Sequence, residues 1–365
     1  MRLSTRASTE LASFVDMTCI LACASTVEPG FVDTRARYAC LGGGNCVSLQ
    51  AMVGSIHIMG IVNATPDSFF AGSRAAGEAA ADRALALLVQ GADVIDLGAC
   101  STRPGSAQPT LEEEWQRLEP ALKSITRDIR KPIAGHAQTA ITGVPGMATI
   151  GSSGKEGIPG ASLRDPIPGK CPRDTSFPLL SVDTYRAEIV RRAYDTVGPI
   201  LVNDISAGAL DPQMLGTVGR LGLPYVAMHM RGTPETMQQF TRYDDLVQDI
   251  LAYFRDFAAR AADAGIRDWI LDPGFGFSKT LEQNYELLRR LEELQAAGRP
   301  VLAGLSRKSM VYKVLGITPE EAMPATQVVQ YAALQGGATW LRTHDVAEAV
   351  QTARVFLELK GTPYL

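Results

Sequence analysis

The feature of this sequence that most restricts its fold is a repeated alternation of short apolar runs with longer amphipathic stretches. The apolar runs are rich in β-branched residues, which is typical of buried strands, and the stretches between them have helical periodicity. Eight such pairs follow one another from Ile56 onward. The pattern predicts repeated βα units and a parallel sheet.

The predicted strands and helices alternate without exception after the first strand. The strands are Ile56–Asn63, Val94–Gly98, Leu179–Asp183, Ile200–Asp204, Pro224–Met230, Trp269–Asp272, Val301–Leu305 and Thr339–Arg342. The helices are Gly77–Gln90, Leu111–Arg130, Arg186–Tyr194, Pro212–Leu221, Tyr243–Ala264, Leu281–Ala296, Pro319–Gln335 and Val346–Leu359.

Eight βα units predict an α/β fold of the (β/α)8 type, the triosephosphate isomerase (TIM) barrel, which typically takes ~250 residues plus insertions. A doubly wound open sheet is the alternative. It is less favoured because polar motifs recur at the ends of nearly all the strands, whereas an open sheet concentrates them at one switch point.

Two stretches fall outside the repeat. Residues 1–55 show no clear period and are predicted to be a poorly ordered extension of a barrel that spans 56–365. Residues 131–177, rich in Gly, Pro, Ser and Thr, are predicted to be a flexible insertion between the second helix and the third strand. Such a loop lies on the N-terminal face of a barrel, so His136 and Cys171 are poor catalytic candidates.

Composition excludes several classes of protein. A hydrophobic content of 46%, with 20% charged residues and a net charge of −4, indicates a soluble protein with no general nucleic-acid surface. The expected location is the cytoplasm. No apolar run reaches the ~18 residues of a membrane span, and the faint secretory pattern of Leu11–Ser25 is interrupted by Asp16. Four of the six cysteines precede Ala51 and fit no common zinc pattern.

The first two strands end in motifs suited to binding cations and anions. Asn63 offers an uncharged oxygen that suits Mg²⁺, although a turn capped by Asn and Asp is an equal reading of the same residues. The second strand ends in Asp96-Leu97-Gly98, and the loop Ser101–Gly105 that follows supplies hydroxyls and a guanidinium, or is a plain surface turn. Cys100 is predicted to be a packing residue.

The third to fifth strands add carboxylates and an amide. Asp183 and Asn203-Asp204 are predicted to lie together above the barrel, although Asp204 could instead cap a helix. The fifth strand closes with His229-Met230, where the histidine is predicted to be a packed, structural residue.

The last three strands end in glycines and cationic groups. In Asp272–Phe277, glycines allow close approach of the backbone, phenylalanines form an apolar wall, and Asp272 can accept from a planar donor edge. Ser306–Ser309 opens a helix, and Arg342–His344 follows the last strand. Barrels of this type often bind phosphate after the seventh and eighth strands, so a heterocycle with a diphosphate fits.

Taken together, these motifs resemble the dihydropteroate synthase family, in order and at the strand ends, from Ile58 to about Leu359 apart from the insertion. The resemblance implies condensation of 6-hydroxymethyl-7,8-dihydropterin diphosphate with p-aminobenzoate to 7,8-dihydropteroate and pyrophosphate, in folate biosynthesis. It also implies Mg²⁺ as cofactor and a homodimer.

The resemblance assigns roles residue by residue. The implied catalytic residues are Asp183, Asp272, Lys308 and Arg342. The same four bind the pterin diphosphate together with Asp96, Thr102, Asn203, Met230 and His344. The implied aminobenzoate site consists of Thr102, Arg103, Pro104, Phe277 and Ser309, and Asn63 is the implied metal ligand.

Three departures and two alternatives remain. Ala64 replaces a larger apolar residue, and the N-terminal extension and the insertion are unusual. Ser309-Met310-Val311 carries no extra residues of the kind found in sulfonamide-insensitive relatives, which predicts inhibition by sulfonamides. A pterin-binding methyltetrahydrofolate:corrinoid methyltransferase would not need the diphosphate set, and a non-catalytic pterin-binding protein would tolerate its loss.

Overall fold

The structure, a computed structural model, describes residues 56–64, 73–100, 108–130 and 179–361. Its strands are β1 His57–Asn63, β2 Val94–Gly98, β3 Leu180–Asp183, β4 Leu201–Asp204, β5 Tyr225–Met228, β6 Trp269–Asp272, β7 Leu302–Ala303 and β8 Trp340–Thr343. Its α-helices are α1 Ser73–Gln90, α2 Leu111–Arg130, α3 Ala187–Val197, α4 Met214–Leu221, α5 Leu246–Asp263, α6 Leu281–Arg289, α7 Ser309–Leu315, α8 Met323–Gln335 and α9 Val346–Leu359.

The eight strands form one parallel sheet that closes on itself. Neighbours pair in the order β6-β5-β4-β3-β2-β1-β8-β7. The ends of this series meet where Leu271 bridges Val301 in parallel, and the Leu271 amide donates to the Pro300 carbonyl at 2.9 Å. The (β/α)8 barrel is therefore confirmed, and the open sheet is excluded.

Side chains that alternate along each strand build two apolar layers. One set fills the inside of the barrel and consists of Met59, Val94, Leu201, Val226, Ile270, Leu302 and Trp340. The residues between them, such as Ile58, Val182 and Leu271, face outward and join the larger core formed with the helices. Because side chains of a strand alternate between faces, the residue two positions after each inner apolar residue also faces inward, nearer the carboxyl end.

Most element boundaries lie within a few residues of the predicted ones, and three of the differences concern how a helix begins, divides or is added. The predicted helix Tyr243–Ala264 begins at Leu246, because the Asp245 carboxylate caps it by accepting from the amides of Val247 and Gln248 at 3.0 and 3.1 Å. The predicted helix Leu281–Ala296 becomes α6 followed by a 3₁₀ helix, Leu291–Ala297. Between β7 and α8 the chain forms the additional short helix α7.

Several predictions lie outside the described residues: the extension 1–55, the insertion 131–177 with His136 and Cys171, and the cysteines before Ala51. In the part of the chain that the structure describes, none of the helices combines the length and the apolar character needed to cross a membrane.

Candidate active site

Polar side chains occupy the inner face of the barrel just beyond its apolar layer, at the carboxyl ends of the strands. Asp96, Asn203, Asp272 and Arg342 each follow an inner apolar residue by two positions, so alternation turns all four toward the mouth. Asp183 pairs in register with Asn203, and Asn63 pairs with Gly98. Side chains far apart in the sequence thus converge on one face, as in other barrels of this type.

Arg342 is the centre of a buried network in the mouth. Its Nε donates to Asp96 Oδ2 at 2.6 Å, and its Nη2 donates to Asp183 Oδ2 at 2.7 Å. The Asn203 amide donates to the same Asp96 oxygen at 3.0 Å. Asp96 is fully buried, and its Oδ1 accepts no hydrogen bond from the described residues. Arg342 and Asn203 therefore fix one carboxylate edge and leave an acceptor available to a donor outside the protein.

The charge state of Asp183 is finely balanced. Burial raises the pKa of Asp183 to about 7, and the neighbouring Arg342 guanidinium works in the opposite direction. Asp183 is the less buried of the two carboxylates that Arg342 binds, with 19% of its side chain exposed against none of Asp96. At neutral pH its proton is held with little preference, and the arrival of a charged or hydrogen-bonding ligand can decide its state.

Asp272 and Lys308 form a second polar group, on the β6 and β7 side of the mouth. The Asp272 carboxylate accepts from the amide of Gly274 at 2.8 Å. Burial raises the pKa of Asp272, whereas Lys308 lowers it. Burial also lowers the pKa of Lys308 to about 8, against the pull of Asp272. The Lys308 ammonium donates to the Phe275 carbonyl, and so ties the loop after β6 to the start of α7.

An apolar wall lies beside these groups. The half-buried ring of Phe277 packs on a cluster formed by Ile205, Met228, Met230 and Met237. The Lys308 ammonium stands 5.0 Å from the centre of the Phe277 ring. A flat ring could therefore find both an apolar surface and a cation here.

The end of β8 forms a cationic corner. The Arg307 guanidinium pairs with Asp345 through bonds of 2.9 and 2.5 Å, and the exposed Arg83 donates to the His344 carbonyl at 3.0 Å. The His344 amide donates to the Ser306 hydroxyl at 3.2 Å. Burial, followed by the charge of Arg342, lowers the pKa of His344 to about 4. At neutral pH His344 is thus a neutral hydrogen-bonding group, not a cation.

The remaining predicted site residues divide into two groups. Asn63 ends β1 and is exposed at the mouth, and Ser309 is the first residue of α7, next to Lys308. Thr102, Arg103 and Pro104 lie outside the described residues.

The structure corrects the placement of Asp204. The sequence predicts that it joins Asp183 and Asn203 above the barrel, but adjacent residues of a strand point to opposite faces, so Asp204 faces the helices. Its carboxylate accepts from the Tyr225 hydroxyl at 2.5 Å and from the amides of Ser206 and Gly208 at 2.8 Å. It holds the turn after β4 and does not cap α4, which begins at Met214.

Two buried groups near the mouth were missed by the sequence reasoning. The fully buried Glu114 accepts from the Thr184 hydroxyl at 2.7 Å and from Arg186, whose guanidinium also donates to the Pro109 carbonyl at 2.5 Å. These bonds fix the ends of the loop after β2, and Cys100 packs beside them with its thiol pKa raised by burial. The second group is Lys279, which directly follows the loop after β6 and is buried. The available signal in the sequence was a single lysine next to the apolar and glycine residues of that loop.

Comparison with known proteins gives consistent results. The model of the family described as "Pterin binding enzyme" matches residues 59–134 and 172–344. Dihydropteroate synthase of Escherichia coli (strain K12) is 34% identical over 302 residues, which cover 82% of this chain and 90% of that relative.

Solved structures agree with these sequence matches. Dihydropteroate synthase of Xanthomonas albilineans with 4-aminobenzoic acid superposes with a TM-score of 0.66 at 32% identity, covering 85% of this chain and 95% of the other. The Yersinia pestis enzyme of the same name, in complex with a sulfonamide drug, gives a TM-score of 0.65 at 31% identity, covering 84% and 95%.

Proposed function

The chain belongs to the pterin-binding enzyme family and, within it, to the dihydropteroate synthases of folate biosynthesis, and we propose how its barrel mouth performs that reaction. The substrates are 6-hydroxymethyl-7,8-dihydropterin diphosphate and p-aminobenzoate. The products are 7,8-dihydropteroate and pyrophosphate. The observation that carries the proposal is the set of buried acceptors and cations, Asp96, Asp183, Asn203, Asp272 and Lys308, gathered around Arg342.

The pterin ring is proposed to lie against the inner polar face of the barrel. A pterin presents amine and amide donors along one flat edge, and buried carboxylates accept such donors strongly in a site shielded from water. Asp183 and Asp272 supply these acceptors, and the Asn203 amide and Lys308 supply donors for the ring's own acceptors. Met230 belongs to the apolar cluster next to this face.

The aminobenzoate is proposed to stand on the Phe277 side of the mouth. Its ring would pack on Phe277, and its carboxylate would accept from Ser309 near the Lys308 ammonium, which lies over the same ring. The family resemblance implies that Thr102, Arg103 and Pro104, which lie outside the described residues, also contact the aminobenzoate.

The diphosphate is proposed to occupy the corner between β1 and β8. Arg342 provides charge there, and His344, neutral at physiological pH because of its lowered pKa, provides a hydrogen-bonding ring. Asn63 suits Mg²⁺, because its uncharged oxygen is exposed at the mouth and Mg²⁺ commonly takes one or two protein oxygens together with waters and substrate phosphates. When bound, the ion would neutralise part of the negative charge of the leaving group.

The chemical step is a displacement at the methylene carbon of the pterin. The lone pair of the aminobenzoate nitrogen forms the new C–N bond while the C–O bond to the diphosphate breaks, and the pyrophosphate leaves with that electron pair. The amine nitrogen then loses one proton to water or to the released pyrophosphate. Positioning of the two substrates, together with Arg342 beside the leaving group and the carboxylates beside the pterin, stabilises the charge that develops.

The protein is also proposed to act as a homodimer in the cytoplasm. The outer faces of α8 and α9 form an apolar groove that includes Pro324 and Tyr331, and Val328 and Val355 are 69% and 56% exposed there. Exposed apolar surface of this kind is typical of subunit interfaces. Sedimentation of the wild type and of Val328→Asp tests the dimer.

The free thiol of Cys100 suits a reducing compartment such as the cytoplasm, and cell fractionation tests this location.

An assay of pyrophosphate release tests the proposed function. The wild type is compared with Asp183→Ala and Arg342→Ala, and with Asp195→Ala, which removes a carboxylate whose side chain is 58% exposed on α3. We expect release that requires aminobenzoate in the wild type and in the control, and losses of at least ~100-fold in the two mouth variants. Release without aminobenzoate would indicate a hydrolase, and no release would indicate a binding protein.

A further inference from the structure

Lys279 is a buried lysine to which the proposed reaction assigns no role. It is 3% exposed, and its ammonium carries three N–H donors. Its Nζ lies 3.1 Å from His229 Nδ1, 3.0 Å from the Gly274 carbonyl and 3.1 Å from the Phe277 carbonyl. Three donors therefore meet three acceptors, one directly after β5 and two in the loop after β6.

The protonation states of this cluster support the same geometry. Burial, followed by the charge of Lys279, holds the pKa of His229 well below its ordinary value. A neutral imidazole can present Nδ1 as an acceptor, which is the role that the ammonium requires. Burial lowers the pKa of Lys279 itself to about 7, and Asp272 supports its charge. A buried ammonium is stable only where its donors are satisfied, and here the loop carbonyls satisfy them.

The backbone of the loop after β6 turns so that the carbonyls of Gly274 and Phe277 both face the Lys279 ammonium. Gly274 has a φ of +72°, and the Phe277 amide closes a turn by donating to the Gly274 carbonyl at 3.1 Å. On the mouth side, Lys308 donates to the Phe275 carbonyl and faces the Phe277 ring. The loop is thus held by two ammonium groups, Lys308 at the Phe275 carbonyl and Lys279 at the carbonyls of Gly274 and Phe277.

We propose that Lys279 is a positioning residue that fixes the backbone of Phe277, and through it the place of the ring that walls the aminobenzoate site. The inference rests on the proposed function. It assigns Lys279 to the amine substrate because one of its three hydrogen bonds ends on the Phe277 carbonyl itself. Among the pterin-facing residues, Asp183, Asn203 and Asp272 form hydrogen bonds with other groups, and Lys279 acts on Asp272 only through its charge.

The first experiment separates the two substrates. Lys279→Met keeps the length of the apolar stem and removes all three donors, and Lys123→Met is a matched control at an exposed lysine of α2. We expect Lys279→Met to raise the KM for aminobenzoate by about tenfold, and the KM for the pterin diphosphate by less than about twofold, given the strength of hydrogen bonds from charged donors. Equal changes in the two KM values, or none, would overturn the inference.

A double-mutant cycle tests whether Lys279 acts through Phe277. If it does, Lys279→Met in a Phe277→Ala background raises the KM for aminobenzoate no further, whereas additive effects would overturn the inference. If Lys279→Met does not fold, Lys279→Arg is used instead, because it keeps the positive charge. A smaller rise in KM that is confined to aminobenzoate supports the inference. An equal rise in KM for both substrates overturns it.

Failure of the proposed function and failure of this inference give different results in these assays. A wild type that releases no pyrophosphate in response to aminobenzoate would overturn the proposed function and this inference together. A wild type and a Lys123→Met control that turn over normally, beside a Lys279→Met variant with unchanged KM values, would overturn the inference alone.

Discussion

Replacement of Arg342 by methionine tests the buried network at the barrel mouth. The variant keeps an unbranched apolar stem but removes a guanidinium that binds Asp96 at 2.6 Å and Asp183 at 2.7 Å. Both carboxylates then lose their only cationic partner in the network described above. The Arg342 side chain is 22% exposed and that of Asp96 is fully buried, so water can replace the lost contact only in part.

The expected loss of stability follows from the burial of the two partners. Removal of one member of a buried, hydrogen-bonded ion pair typically costs about 3–5 kcal/mol. Asp183 can relieve part of this loss by binding a proton, since burial already raises its pKa to about 7. We therefore expect Arg342→Met to lower the free energy of unfolding by about 3 kcal/mol at pH 7, at the lower end of that range.

The loss should also depend on pH in a defined direction. Folding raises the pKa of Asp183 from its ordinary value of 3.8 to about 7. The protonated Asp183 carboxyl therefore contributes fully to stability at low pH, and this contribution is lost as the pH rises through about 7. Without the guanidinium, which lowers this pKa, the pKa rises further. The difference in stability between wild type and variant should therefore grow as the pH increases from 6 through 8.

Urea unfolding of both proteins at several pH values measures these differences directly. Arg191→Met is the matched control, because Arg191 is 52% exposed and forms surface ion pairs with Glu188 and Asp195. Such pairs contribute about 0–1 kcal/mol. An Arg342→Met variant destabilised no more than Arg191→Met, or a difference that shrinks as the pH rises, would refute the reasoning.

Three further predictions follow. Gly274→Ala should lower the free energy of unfolding in urea by at least about 3 kcal/mol, because a Cβ at this φ of +72° would lie 2.1 Å from the His229 carbonyl oxygen. Gly298→Ala is the control, because Gly298 also has a positive φ but a Cβ there meets nothing within 4 Å, and it should cost about 1 kcal/mol. Equal losses in the two variants would contradict the clash at Gly274. Asn63→Ala should raise the Mg²⁺ concentration for half-maximal pyrophosphate release without lowering the melting temperature, since the side chain is exposed; an unchanged Mg²⁺ titration would remove Asn63 as a ligand. Sulfonamides should inhibit competitively with aminobenzoate, and turnover that persists under a large excess of sulfonamide would exclude a site of the predicted kind.

The strands of the barrel could be predicted from the sequence because buried parallel strands leave a strong local signal. Trp269–Asp272 is bounded as predicted, and β2 matches its predicted run residue for residue. The start of the short helix α7 was predicted at Ser306–Ser309, but its extent was not, because seven residues carry too little periodicity to distinguish a helix from a turn. The start of α5 depended on the cap formed by Asp245, and caps are set by single residues.

The residues of the site could be recognised, but the contacts among them could not. Asp96 and Arg342 are 246 positions apart, and nothing local to either residue indicates their ion pair. Alternation along β4, by contrast, was available in the sequence and would have placed Asp204 on the face opposite Asn203. The contact of Lys279 with His229 could not be predicted for the same reason, since His229 lies 50 positions earlier in the sequence.

The central claim is that the barrel mouth joins a pterin to an arylamine with loss of pyrophosphate. The most direct test is the ratio of 7,8-dihydropteroate formed to pyrophosphate released, measured on the purified full-length chain with Mg²⁺ and both substrates. One molecule of each product is expected per turnover, with neither product formed when aminobenzoate is left out. Pyrophosphate released in excess of dihydropteroate, or dihydropteroate formed at equal rates by wild type and Arg342→Ala, would contradict it.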